Sequence, residues 1–190
     1  MVALGPYHQV HFNDISSVIL QKLNGAQTSI TVAMAWLTDP KLFDALIQAA
    51  KLGVFVRIAI LDDKINRKLS RDNLAAANGL CYWIPETGAS KGSLHHKFCV
   101  IDSHLVINGS YNWTYRASRA DENITVVDNV KLAAEFLQAF ETLLQKYGHI
   151  KPQTKAHSGS KLEGAPETFS QQQQSAWQGK RIKSTLKTGH

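Results

Sequence analysis

The chain has 190 residues, 44% of them hydrophobic, and a net charge of +6, enough for one domain with a sizeable core and not for two. Its two cysteines, Cys81 and Cys99, form no C-x-x-C pair and no Cys/His metal spacing, which argues against a disulfide scaffold or a structural zinc site. No basic-then-apolar leader and no apolar run of bilayer length occurs, so the expectation is a cytoplasmic protein that does not act on membranes.

Tyr7 to Phe12 alternates weakly and reads as an edge strand. Asp14 is placed to cap a helix with Ile15, Val18, Ile19 and Leu23 on one face and Gly25 as its stop. Residues 29–36 read as a core strand. Thr38-Asp39-Pro40 then supplies an N-cap and an early proline for a helix to about Leu52, with Gly53 closing it. Residues 54–61 are mostly apolar on both faces, as suits a strand covered on both sides. A charged loop follows over 62–72, then a short helix near 74–77 and a strand near 81–84. Residues 85–93, with Gly88 and Gly92, read as a flexible approach to the next elements. Two short strands, 96–101 and 105–108, flank a tight turn at Asp102-Ser103-His104. Residues 123–127 read as a last strand. Residues 132–147 read as an amphipathic helix carrying Phe136, Phe140, Leu143 and Leu144.

This alternation predicts an α/β fold, a mixed β-sheet flanked by helices on both faces, over residues 1–149. Residues 150–190 read as a disordered tail: glycines, serines and the run 171–174 of four glutamines leave little to bury. Residues 151–190 also hold seven Lys or Arg against two acids. Trp177 with Lys180, Arg181 and Lys183 is suited to stack on bases and pair with phosphates; the competing reading is a solubilising tail with an incidental tryptophan.

The most informative stretch is H-x-K-x4-D-x6-G-S-x-N, with His95, Lys97, Asp102, Gly109, Ser110 and Asn112 at its fixed places. Side chains alternate along a strand, so His95 and Lys97 share a face and His96 points away, to be packed or capped there. Folding the hairpin brings an imidazole, an ammonium, a hydroxyl and an amide together. A neutral imidazole can attack phosphorus, while Lys97, Ser110 and Asn112 donate to the non-bridging oxygens. Gly109 permits close backbone approach or an unusual φ. Asp102 ends the strand, with an orienting or structural part to play. Cys99 shares the His95 face, but with no base signature beside it reads as a small buried hydrophobe. No metal or other cofactor is needed in this scheme.

This constellation resembles the signature of the phospholipase D superfamily, over roughly residues 7–148. The resemblance implies that family's layered fold and a phosphohistidine intermediate on one histidine, with a second histidine protonating the leaving group. The motif occurs once in this sequence, so the resemblance to single-motif members implies a homodimer with two His95 side chains facing each other. It also implies that Glu122, with Asp121 as the neighbouring competitor, hydrogen-bonds the catalytic histidine. The catalytic candidates are therefore His95, Lys97, Asp102, Ser110, Asn112 and Glu122.

Short single-motif members of the superfamily are mostly nucleases, and a basic tail favours a polyanion. The leading expectation is a metal-independent endonuclease on DNA or RNA. A phospholipase or small phosphodiesterase comes second, and a non-catalytic nucleic-acid-binding module third. Lys91 and Arg116 flank the motif and are the first choices for substrate binding, with Lys180 and Arg181 in the tail. Lys64, Arg67, Lys68, Arg71 and Arg119 could also line the cleft mouth, against the competing reading of solvated surface charge.

Overall fold

A computed structural model describes residues 7–68, 71–86 and 93–150. The tail and Lys91, Lys180 and Arg181 lie outside these residues, as does most of the glycine-containing approach. Among the described residues, seven strands form one mixed sheet: β1 (Tyr7–His11), β2 (Ser29–Met34), β3 (Phe55–Asp62), β4 (Leu80–Pro85), β5 (Lys97–Ile101), β6 (Leu105–Gly109) and β7 (Ile124–Asp128). Their spatial order is β1-β7-β6-β5-β2-β3-β4. β2, β3 and β4 run parallel, and every other pairing is antiparallel. The helices are α1 (Ile15–Asn24), α2 (Pro40–Lys51), the short α3 (Asp72–Ala76) and α4 (Val130–Lys146).

Alternation along each strand divides the core in two. Ile30, Val32, Met34, Val56, Ile58, Ile60, Cys99 and Ile101 pack with α1 and α2 on one face. Ala33, Ala59, Phe98, Val100 and Val106 pack with Ala133, Phe140 and Leu144 of α4 on the other. The helices thus cover both faces. Arg57, the charged exception within this mostly apolar strand, is fully buried. Its Nη1 donates to Glu141 of α4 at 2.6 Å and its guanidinium lies over Phe140, so a buried ion pair joins α4 to the sheet.

Asp39 caps α2, accepting from the amides of Lys41 and Leu42 ahead of Pro40, and Gly53 takes φ 96° just past the helix end. Asp14 differs from expectation: it adopts φ 50°, ψ 28° and its side chain makes no capping hydrogen bond. Its carbonyl accepts the first intrahelical bond, from Val18 N. Within the charged loop, one described residue is built into the core. Asn66 is fully buried, accepting from Leu37 N and donating to Ala35 O and Leu61 O, so it ties the ends of β2 and β3 together.

Candidate active site

β2 and β3 end, β5 begins, β6 ends and β7 begins at the same edge of the sheet, where the motif residues gather. In open α/β sheets such a carboxyl edge is where ligands bind. Met34 pairs with Lys97, and Ala35 N donates to His96 O, which carries the β2–β5 ladder one step beyond the strands. The segment after β6 is held by the amides of Thr38 and Asp39, both donating to Trp113 O.

His95 is exposed on the α1/α2 side. Lys97 Nζ lies 3.2 Å from its Nδ1 and 3.3 Å from its Nε2, and donates to the His95 carbonyl at 2.9 Å. A ring nitrogen that turns its lone pair toward Nζ can accept a hydrogen bond from it. Burial lowers the Lys97 pKa below the usual lysine value, and Glu122 partly offsets this. Ser110 Oγ donates to Glu122 Oε2 and accepts from Asn123 N. Asn112 Oδ1 is buried without a partner among the described residues, which leaves the amide nitrogen as the end that can reach a ligand.

The structure therefore brings His95 and Lys97 together, and sets Ser110 and Glu122 together as a second pair whose charge reaches Lys97. Glu122 accepts from Ser110 rather than from His95 among the described residues. Asp121 is exposed and lines a different cavity, with Tyr111 and Ser16.

Asp102 is not in this cluster. Five residues of extended chain put it about 17 Å from Lys97, at the opposite end of β5. There its carboxylate accepts from the amides of Gln27, Thr28 and Ser29 and from Thr28 Oγ1. Burial pushes its pKa up, but those hydrogen bonds outweigh the effect and hold it below the usual carboxylate value. Asp102 and Ser103 take φ 51° and 59°, with His104 N donating to Ile101 O, the pattern of a type I′ hairpin turn. Its place is structural, the part its position at the strand end suggests, and it does not join the other catalytic candidates.

Gly109 needs no positive φ. A Cβ there would lie 2.1 Å from Asn123 O and 2.8 Å from Ile124 Cα, so close approach of β7 is what excludes a side chain. His96 points to the α4 face, where its exposed ring lies 5.6 Å from that of Phe98. Cys99 is buried, which raises its thiol pKa and leaves it protonated. Arg71 is not at the cleft mouth: it is buried against Phe43 and donates to Leu37 O. Arg67 is committed to Asp62. Arg116 is exposed and makes no ion pair among the described residues.

Trp36 was missed by motif reasoning. Its ring meets His95 edge to face, with centroids 6.2 Å apart, and its Nε1 donates to Asp63 at 2.7 Å. The contact crosses from β2 to β5, so no local pattern announces it. Among the described residues no three His, Cys, Asp or Glu side chains cluster as a metal site requires.

The sequence model of the family described as "Cardiolipin synthase, PLD-like domain" matches residues 19–144. The chain belongs to this phospholipase D-like family. Within it, the mitochondrial cardiolipin hydrolase of Chlamydomonas reinhardtii is 33% identical over 128 residues, 67% of this chain and 56% of that protein. The protein of the same name from Xenopus laevis is 30% identical over 138 residues, 72% of this chain and 64% of that protein. The chain thus spans 56–64% of the length of these curated relatives. Nuc from Salmonella typhimurium, a phospholipase D family member, superposes with a TM-score of 0.58 at 28% identity, covering 74% of this chain and 95% of Nuc. The cytoplasmic expectation is corrected by these relatives, whose names place them in the mitochondrion. No helix among the described residues is long and apolar enough to cross a membrane.

Proposed function

We propose that this phospholipase D-like chain is a metal-independent phosphodiester hydrolase acting as an endonuclease on DNA or RNA, with His95 as nucleophile. The observation that carries this reading is the exposed His95 imidazole with the Lys97 ammonium against it and the Ser110–Glu122 pair alongside. An imidazole nitrogen of His95 attacks phosphorus; the P–N bond forms as the bond to the leaving oxygen breaks. That oxygen takes a proton from His95 of the partner subunit in a homodimer. Water then attacks the phosphohistidine, giving its proton back to that second histidine, and the P–N bond breaks to regenerate His95. Lys97 and the Asn112 amide donate to the non-bridging oxygens as charge develops. Exposure of His95 at the surface supports a site completed by a second copy.

The nucleic-acid reading draws support from the net charge of +6, from the exposed Arg116 beside the site and from the likeness to Nuc. Lys91, Lys180 and Arg181 remain proposed substrate contacts, and residues 150–190 a proposed basic appendage to the phosphodiesterase domain. A second reading, hydrolysis of a cardiolipin-type lipid at the mitochondrion, is favoured by the names of the curated relatives.

The test is cleavage of labelled single-stranded DNA, duplex DNA and RNA, and turnover of cardiolipin vesicles, all in EDTA, with wild type and His95→Ala. Nucleic-acid cleavage by wild type alone is the expected result. Vesicle turnover without nucleic-acid cleavage selects the lipid reading. Abolition of all activity by EDTA overturns the scheme.

A further inference from the structure

A cavity of about 350 Å³ opens beside the phosphate-binding cluster, lined by Trp36, Ile65, Asn112, Tyr115, Arg116 and Glu122 among others. Asn112 and Glu122 belong to both, so the cavity adjoins the place where a phosphate would meet His95. Its walls are unlike those of an aliphatic tunnel. Two are aromatic, and Ile65 is the one large aliphatic side chain among them. Thr38, Thr114 and Asn112 supply polar edges.

Tyr115 is the unusual member, 65% exposed where a tyrosine would normally bury its ring. It is also held in place. Arg119, four residues on, sets its guanidinium 4.6 Å from the ring centroid and donates to the phenol oxygen at 2.5 Å. Trp36 is fixed on the other side by Asp63. An exposed ring braced by an arginine, next to the unpaired Arg116, has the components of a single-strand platform: an aromatic face for a base and cations for the backbone.

We infer that Tyr115 is the stacking platform for the nucleobase next to the scissile phosphate, so that the site takes a single strand with that base turned into the Trp36–Tyr115 cavity. This rests on the nuclease reading. Stacking tolerates every base, because each offers a π-face, so the platform selects for an unpaired nucleotide and not for sequence. A duplex would have to open at that step.

The experiment uses full-length protein and single-stranded oligonucleotides with one cleavable phosphodiester between methylphosphonate linkages. Each is made intact or with an abasic residue 5′ or 3′ of that linkage. Tyr115→Ala is expected to lower kcat/KM on the intact strand roughly 5- to 100-fold, the range for losing one base–aromatic stack. Tyr115→Phe, which keeps the ring, should cleave close to wild type. On one of the two abasic strands, wild type should fall to the level of Tyr115→Ala, and the substitution should then cost nothing more. Matching thermal melts will show that the variants fold, as expected for so exposed a side chain.

Cleavage of the intact strand by Tyr115→Ala at the wild-type rate overturns the platform and leaves the nuclease reading standing. Turnover of cardiolipin vesicles with no oligonucleotide cleavage overturns both. Slower vesicle turnover by Tyr115→Ala in that case would assign the cavity to a lipid.

Discussion

Replacing Asp102 by alanine should damage the fold and spare the chemistry. The carboxylate receives four donors from residues 27–29: three amides and the Thr28 hydroxyl. Hydrogen bonds to a charged group are worth about 1.5–3 kcal/mol each when well shielded. Four such bonds sum to about 6 kcal/mol at the low end, and because Asp102 is only half-buried water competes for the same donors, leaving about half of that. A loss of about 3 kcal/mol for Asp102→Ala follows, lowering Tm by roughly 6–12 °C for a chain of this size. Asp102→Asn keeps one acceptor oxygen and tolerates the positive φ, so about half that loss is expected. The assay is thermal and urea denaturation at pH 7 and at stepwise lower pH, with turnover per folded molecule measured well below Tm. The folded-state pKa is depressed, so this stabilisation is present above the ordinary carboxylate value near 3.8 and disappears as pH falls through the lower folded value. The gap between wild type and Asp102→Asn should close there. Unchanged Tm with a thousandfold loss of kcat would refute the structural assignment and put the aspartate back in the reaction.

Breaking the buried pair by Glu141→Ala should destabilise the protein by about 3–5 kcal/mol, because Arg57 is left charged in the core; a double substitution to Arg57→Met and Glu141→Leu should recover most of it in urea titrations. The proposed mechanism needs a charged Lys97, whose pKa burial lowers below 10.5, so the alkaline limb of the pH–rate profile should fall below that pH. Lys97→Arg should move that limb upward in whatever activity remains. Gly109→Ala forces β6 and β7 apart at Asn123, and should lower stability by about 1–3 kcal/mol, read by melting, while disturbing Ser110 and cutting turnover. Mixing inactive His95→Ala with inactive Lys97→Ala should restore little activity, since every composite site still lacks a histidine or a lysine. Full recovery on mixing, or an active monomer by light scattering, would count against the shared site.

Much of this fold is legible because local signals agree with the packing. Asp39-Pro40 starts α2 where a cap and an early proline predict it, and the alternation from His95 to Ile101 assigns each side chain to its face. The structural part of Asp102 was legible too: a residue several positions along a strand cannot share a pocket with the residue that begins it. What escaped detection depends on contacts distant in sequence. Arg57 meets Glu141 across 84 residues, and no local pattern distinguishes a buried arginine from an edge one. Asn66 sits in a charged run and looks like any turn asparagine, yet its amide is spent on three backbone groups. Glu122 was placed near the site by family resemblance, and its partner proved to be Ser110.

The pairing of β2 with β5 governs when the site comes into being. β2 is a middle strand, and its antiparallel neighbour lies far along the chain: Ile30 pairs with Ile101, and β1 waits for β7, Tyr7 opposite Asp128. During synthesis β2, β3 and β4 emerge first and can assemble as a parallel half-sheet, with one edge of β2 bare until the hairpin arrives. Such distant pairings are slow to close, and an open apolar edge is prone to the wrong partner in the meantime. Trp36 follows that edge and His95 opens the strand that covers it. Nascent chains therefore lack the juxtaposition of Trp36 with His95 until the hairpin docks.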